Sequence, residues 1–169
     1  MTDGVGRDTR RAVRAPRILD RLAEALPHAR IALDYTTTWE LLAATILSAQ
    51  STDERVNRVT PALFARFPDP AAMAAATQEE AEALIGELGL FRNKARNLRA
   101  AAASIVERHG GEVPADMDAL IALPGVARKT ANVVLANAFG IHEGIAVDTH
   151  VGRLAGRLAL RQAKDPIGV

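Results

Sequence analysis

Residues 116–139 read DMDALIALPGVARKTANVVLANAF, and this stretch decides the fold. Met117, Leu120 and Ile121 recur at i, i+3, i+4, one apolar stripe of a short helix that Asp116 is placed to cap. Pro124-Gly125 ends that helix, because proline lacks the N–H and glycine accepts positive φ. From Ala127 the pattern restarts, with Ala131, Val134, Leu135, Ala138 and Phe139 at i, i+3, i+4, i+7, i+8. The spacing predicts helix, tight glycine-bearing turn, helix. The second helix would begin with unpaired amides and the positive end of its dipole, beside Arg128 and Lys129, and such a start binds phosphate. An ordinary αα-hairpin with solvated basic residues has the same outline, so the pattern alone leaves both readings open.

Outward from this hairpin the chain reads as further helices. Thr37-Thr38-Trp39-Glu40, Ser51-Thr52-Asp53-Glu54 and Thr77-Gln78-Glu79-Glu80 have the spacing of capping boxes. The first opens LLAATILSA, a helix apolar on most sides and so expected at the centre of a bundle. The second starts a helix through Val56, Val59, Leu63 and Phe67, with Pro61 inside it. DPAAMAAA makes a short helix, and the third box leads into Leu84, Ile85 and Leu88 with Gly89 as the stop. Ala95, Leu98, Ala102, Ile105 and Val106 line the next helix, which ends at Gly110-Gly111. Residues 1–16 are polar and Gly- and Arg-rich, expected to fray. Ile18, Leu22, Ala25 and Leu26 then mark a helix ending at Pro27, and Val151, Leu154, Ala155 and Leu158 form a last stripe. No segment alternates as a strand, so the fold class is all-α.

Hydrophobic residues reach 49%, but only four phenylalanines, one tryptophan and one tyrosine are aromatic, so alanine, leucine and valine do the packing. No apolar run approaches the roughly 18 residues of a membrane span, and the N-terminus has no apolar signal region, so a cytoplasmic protein is expected. The absence of cysteine excludes disulfides. A net charge of +1 rules out a chain basic throughout, yet Arg92, Lys94, Arg96 and Arg99 fall together without an acid. Arg153, Arg157 and Arg161 recur at i, i+4, i+8. With Arg128 and Lys129 these read as local patches that hold a phosphate backbone, although basic helix faces are common.

The pair of motifs LPGVARKTA at 123–131 and VDTH at 147–150 resembles the helix-hairpin-helix DNA glycosylases, most closely the endonuclease III family, over residues 39–160. The resemblance implies base-excision repair of double-stranded DNA carrying a damaged or abasic site, with oxidised pyrimidines as the bases removed and the protein acting as a monomer. It implies that Lys129 is the amine that attacks C1′ and that Asp148 is the carboxylate assisting it; Asp148 is also a good N-cap for the following helix. Gly125, Val126, Ala127 and Arg128 would hold the DNA backbone. Gln50 and Leu90 match the positions that fill the gap left by a flipped base, where residues alone suggest a polar helix terminus and a buried leucine. His150 reads as a hydrogen-bonded structural residue. The family usually has a second glycine where this chain has Ala127, the smallest side chain that position can otherwise take.

The same resemblance implies a six-helix barrel domain over 28–147 and a second helical domain from 1–27 and 148–169. Relatives carry a [4Fe-4S] cluster on four cysteines beyond this point. Those cysteines are absent, so the chain reads as a C-terminally truncated member that holds no cofactor itself, and no cluster has metal-ligand spacing. An adenine-mismatch glycosylase shares the fold but usually has another residue in place of Lys129, whereas an 8-oxoguanine glycosylase would keep it. A non-catalytic DNA-binding module is the alternative from a different class.

Overall fold

Side-chain caps start most helices of the computed structural model, which describes residues 10–160. In chain order these are α1 (Arg11–Ala25), α2 (Thr38–Leu47), α3 (Asp53–Arg66), α4 (Pro70–Ala75), α5 (Gln78–Ile85), α6 (Phe91–His109), α7 (Met117–Ile121), α8 (Arg128–Val134) and α9 (Thr149–Arg157). A single π turn, Leu135–Phe139, continues α8, where the apolar spacing suggested one unbroken helix. No strand occurs among the described residues. Thr37, Thr52, Asp69, Thr77, Asp116 and Asp148 each accept an amide from the first turn of the helix they precede. Each such cap stabilises its helix by about 1 kcal/mol.

The chain divides into two compact units, one of them Ala32–Gly144 and the other built from the segments on either side. In the larger unit α2 occupies the centre, as its all-round apolarity requires. Leu41, Leu42, Ala43, Ala44 and Leu47 are fully buried, and α2 packs on α3, α6 and α8. Burying one such leucine contributes about 1.5–3 kcal/mol. Trp39 is buried at the head of α2, where its indole N–H donates to the Phe67 carbonyl at 3.4 Å.

The three expected capping boxes separate on inspection. At Thr77 the box is reciprocal: the Glu80 amide donates to Thr77 Oγ1 at 3.1 Å and the Thr77 amide to Glu80 Oε2 at 2.8 Å. The Thr77 amide, and then Arg66, hold the Glu80 carboxyl below its ordinary range. At Thr37 only half the box forms. The Glu40 carboxylate turns instead to the Thr36 amide and hydroxyl, at 2.6 and 2.7 Å. At 51–54 the cap is Thr52 and not Ser51, which leaves the Ser51 hydroxyl available to another partner. Two further expectations shift: α5 stops at Ile85, with Gly86 rather than Gly89 at its end, and Val106 is exposed rather than lining the core.

In the smaller unit α1 begins at Arg11, inside the segment expected to fray, while residues 1–9 lie outside the described residues. Arg14 is buried, and its guanidinium donates to the Ala159 carbonyl just past α9, a tertiary tie that fixes this part of α1. Leu19 and Leu22 on α1, Leu26 just past it, and Leu154 and Leu158 near the end of α9 remain exposed.

Candidate nucleic-acid interface

The first half of α6 carries three segments of the larger unit within about 10 Å along its axis, at 1.5 Å per residue. Leu90 is its N-cap, Lys94 reaches the loop after α2, and Asn97 backs the hairpin turn.

The hairpin forms as its sequence demands. Asp116 accepts the Ala119 amide at 2.8 Å to start α7, and Leu120 and Leu123 are buried beneath the turn. Gly125 sits at φ +79, a left-handed value that favours glycine. A Cβ there would meet Asn97 Cβ at 3.0 Å, so glycine is required for close approach as well as for backbone freedom. Val126 is buried and its amide donates to the Leu123 carbonyl at 3.1 Å, closing the turn. Ala127 precedes α8 in an extended conformation and offers no side-chain acceptor. The first helical bond of α8 runs from the Ala131 amide to the Ala127 carbonyl, so the amides of Arg128, Lys129 and Thr130 have no acceptor within the helix. Arg128 and Lys129 are both exposed beside them. The methyl of Ala127 is exposed as well, so it crowds nothing in the interior.

Gln50 and Leu90 come together. Gln50 lies past the end of α2 and not on its last turn, at φ 54, and Leu90 has φ 59. Left-handed backbone without glycine costs on the order of 1–2 kcal/mol per residue and persists only where neighbours enforce it. Both side chains are exposed, and Leu90, at 56%, is not the buried leucine its apolarity suggests. The two loops touch, since a Cβ on Gly89 would stand 3.6 Å from the Gln50 carbonyl oxygen.

Asp148 belongs to the smaller unit, where its carboxylate accepts the Val151 amide at 2.7 Å as the N-cap of α9. His150 is exposed, with Nδ1 3.0 Å from the Arg153 guanidinium, the structural contact its position suggested.

The basic run on α6 is not one phosphate-binding patch. Arg99 donates to the Ala76 carbonyl at 2.7 Å and to Gln78 Oε1 at 3.3 Å, and Arg96 donates to Asn93. Arg92 lies 3.9 Å from Glu82 and stacks over the Phe91 ring. Lys94 is buried, with Nζ donating to Ser51 Oγ at 2.7 Å. Arg161, the last of the other basic stripe, lies outside the described residues. Sequence reasoning missed Lys94, Ser51 and Asn97 as parts of the site. Lys94 did carry a signal: it shares the apolar face of α6 with Leu98, Ala101, Ala102 and Ile105, four, seven, eight and eleven residues on.

The iron–sulfur cluster that the resemblance implies finds no ligands in these residues. The chain has no cysteine, and the described residues contain no group of three histidines or carboxylates placed to hold a metal ion.

Comparison with known proteins agrees with this geometry. Residues 43–168 match the family described as HhH-GPD superfamily base excision DNA repair protein. Endonuclease III of Synechocystis is 58% identical over 156 residues, covering 92% of this chain and 71% of that protein. Endonuclease III of Escherichia coli K12 is 45% identical over 148 residues, covering 88% and 70%. A non-covalent endonuclease III–DNA complex superposes with a TM-score of 0.85 at 44% identity, covering 92% of this chain and 72% of the other. A trapped endonuclease III–DNA covalent intermediate matches with the same score, identity and coverage. With 126 residues of its length inside that family match and close relatives across nine-tenths of it, the chain belongs to the endonuclease III family of helix-hairpin-helix base excision repair proteins.

Proposed function

We propose that Lys129 is the nucleophile of a bifunctional reaction on damaged DNA. As a member of its family the chain is a DNA glycosylase and AP lyase of base excision repair. The reading of Lys129 rests on one observation above all: an exposed lysine on the uncapped first turn of α8, directly after the glycine turn. Phosphates of double-stranded DNA would seat against the Gly125-Val126-Ala127 turn on the amides of Arg128, Lys129 and Thr130, with the Arg128 side chain supplying charge, and thereby place a deoxyribose near the amine. Related endonucleases III are described in complex with DNA, one of them covalently trapped.

The damaged nucleotide leaves the stack, and Gln50 and Leu90 occupy the gap. The Lys129 nitrogen attacks C1′ while the C1′–base bond breaks, and the base departs with that electron pair and a proton. Opening of the sugar ring then gives an imine between Lys129 and C1′. Loss of a C2′ proton expels the 3′ phosphate by β-elimination, and water hydrolyses the imine to return the free amine. Asp148, the N-cap of α9, is the carboxylate we assign to balancing the positive charge that builds on the sugar and imine. The substrates we propose are oxidised pyrimidines and abasic sites, with the protein acting as a monomer.

The test is a duplex carrying thymine glycol and a second carrying one abasic site. Base release from the first, and from the second a nick with a 3′-unsaturated aldehyde and a 5′-phosphate, are expected. Tight binding to the abasic duplex without any nick would replace this reading with a DNA-binding module.

A further inference from the structure

Burying an ammonium against a single hydroxyl is an unfavourable arrangement, because a charge removed from water needs a counter-ion or several hydrogen bonds. Lys94 is 5% exposed and donates to Ser51 Oγ, and among the described residues no carboxylate pairs with it. Burial accordingly lowers the pKa of the amine from its ordinary value. A methionine would fill nearly the same volume without a charge to desolvate, so packing does not call for lysine here. What the side chain does accomplish is a link from the first turn of α6, where its own backbone is anchored, to the loop after α2. The Lys94 amide donates to the Leu90 carbonyl at 3.1 Å, and its side chain reaches the residue next to Gln50. One residue thus fastens two loops whose exposed tips both hold left-handed backbone.

We propose that Lys94 is a positioning residue, whose bond to Ser51 clasps the loop after α2 to the start of α6 so that Gln50 and Leu90 enter the DNA gap as one rigid pair. The inference rests on the gap-filling role given to those two residues above. A wedge already ordered in the free protein loses less entropy on binding than one that must be ordered on the DNA. Without the clasp, the same two side chains would be present but loosely aimed.

The experiment uses the full chain and a duplex with 2-aminopurine opposite tetrahydrofuran, a stable abasic analogue. Insertion of the wedge unstacks the probe and raises its fluorescence. At saturating protein, Lys94→Met and Ser51→Ala should each reduce the rise at least fivefold. Ser51→Thr, which keeps the hydroxyl, should restore it. Lys94→Met should melt no lower than the parent protein, since it removes a buried charge. A full fluorescence rise in Lys94→Met, or a loss matched by a fall in melting temperature, would overturn the clasp. If Gln50→Ala and Leu90→Ala leave the rise intact, or the parent protein gives none while binding the duplex, the gap-filling reading itself fails and takes the inference with it.

Discussion

Gly125→Ala tests how the hairpin is held. At φ +79 an alanine pays about 1–2 kcal/mol for left-handed backbone. Its Cβ would also stand 3.0 Å from Asn97 Cβ, an atom fixed to α6 and unable to swing away. Either the turn or α6 must shift by a few tenths of an ångström, and such overpacking costs about 1–3 kcal/mol more. The sum, roughly 2–5 kcal/mol, is a large share of the 5–15 kcal/mol typical of a folded protein. It should lower the melting temperature by about 4–20 °C, at 2–4 °C per kcal/mol for a chain of this size. Trp39, the sole tryptophan and buried, reports unfolding by its fluorescence. Asn97→Ala removes the Nδ2 and Cγ contacts at 3.2 and 3.4 Å, so Gly125→Ala should cost less in that background. Affinity for abasic DNA should also fall, by tenfold or more where the variant is still folded, because the shifted turn misaligns the amides at the start of α8. A loss of stability below about 0.5 kcal/mol, or no coupling to Asn97, would refute the reasoning.

Other outcomes follow from the same geometry. Arg128→Ala should flatten the log–log dependence of DNA affinity on salt by about 0.9, the contribution of one phosphate, and leave lesion preference unchanged; an unaltered slope would remove Arg128 from the interface. Asp148→Asn retains a capping side chain, so the bond to the Val151 amide and the stability should persist while nicking slows at least tenfold; equal losses in both would reduce Asp148 to a cap. Burial lowers the folded-state pKa of Lys94 below 10.5, so the unfolded chain holds the proton longer. Stability should therefore rise with pH in the window just under 10.5, relative to Lys94→Met. A flat difference between the two melting curves across that window would contradict the buried ammonium.

The features that sequence disclosed are those that local rules govern. Thr77 and Glu80 lie three residues apart before an apolar stripe, and the reciprocal box follows from backbone geometry alone. The turn at Pro124-Gly125 and the central place of α2 were legible for the same reason, because periodicity and breakers act within a few residues. What local rules missed depends on distant partners. The capping-box spacing pointed to Ser51 as the cap of α3, but Thr52 takes that place while Ser51 serves Lys94, a residue 43 positions on. Leu90 looks buried by composition, yet its place at the tip of a loop leaves it exposed. Lys94 looked like one member of a basic run, although its register on the apolar face of α6 already separated it from Arg92 and Arg96. Reading each charge against the helix period would have found it.

Borohydride trapping on abasic duplex DNA, followed by peptide mapping of the adduct, tests the central claim most directly. Reduction converts the imine to a stable amine, so the crosslinked peptide should contain Lys129, and Lys129→Ala should give no adduct while binding the same duplex within about threefold. An adduct mapping to another amine, or one persisting undiminished in Lys129→Ala, would contradict the account.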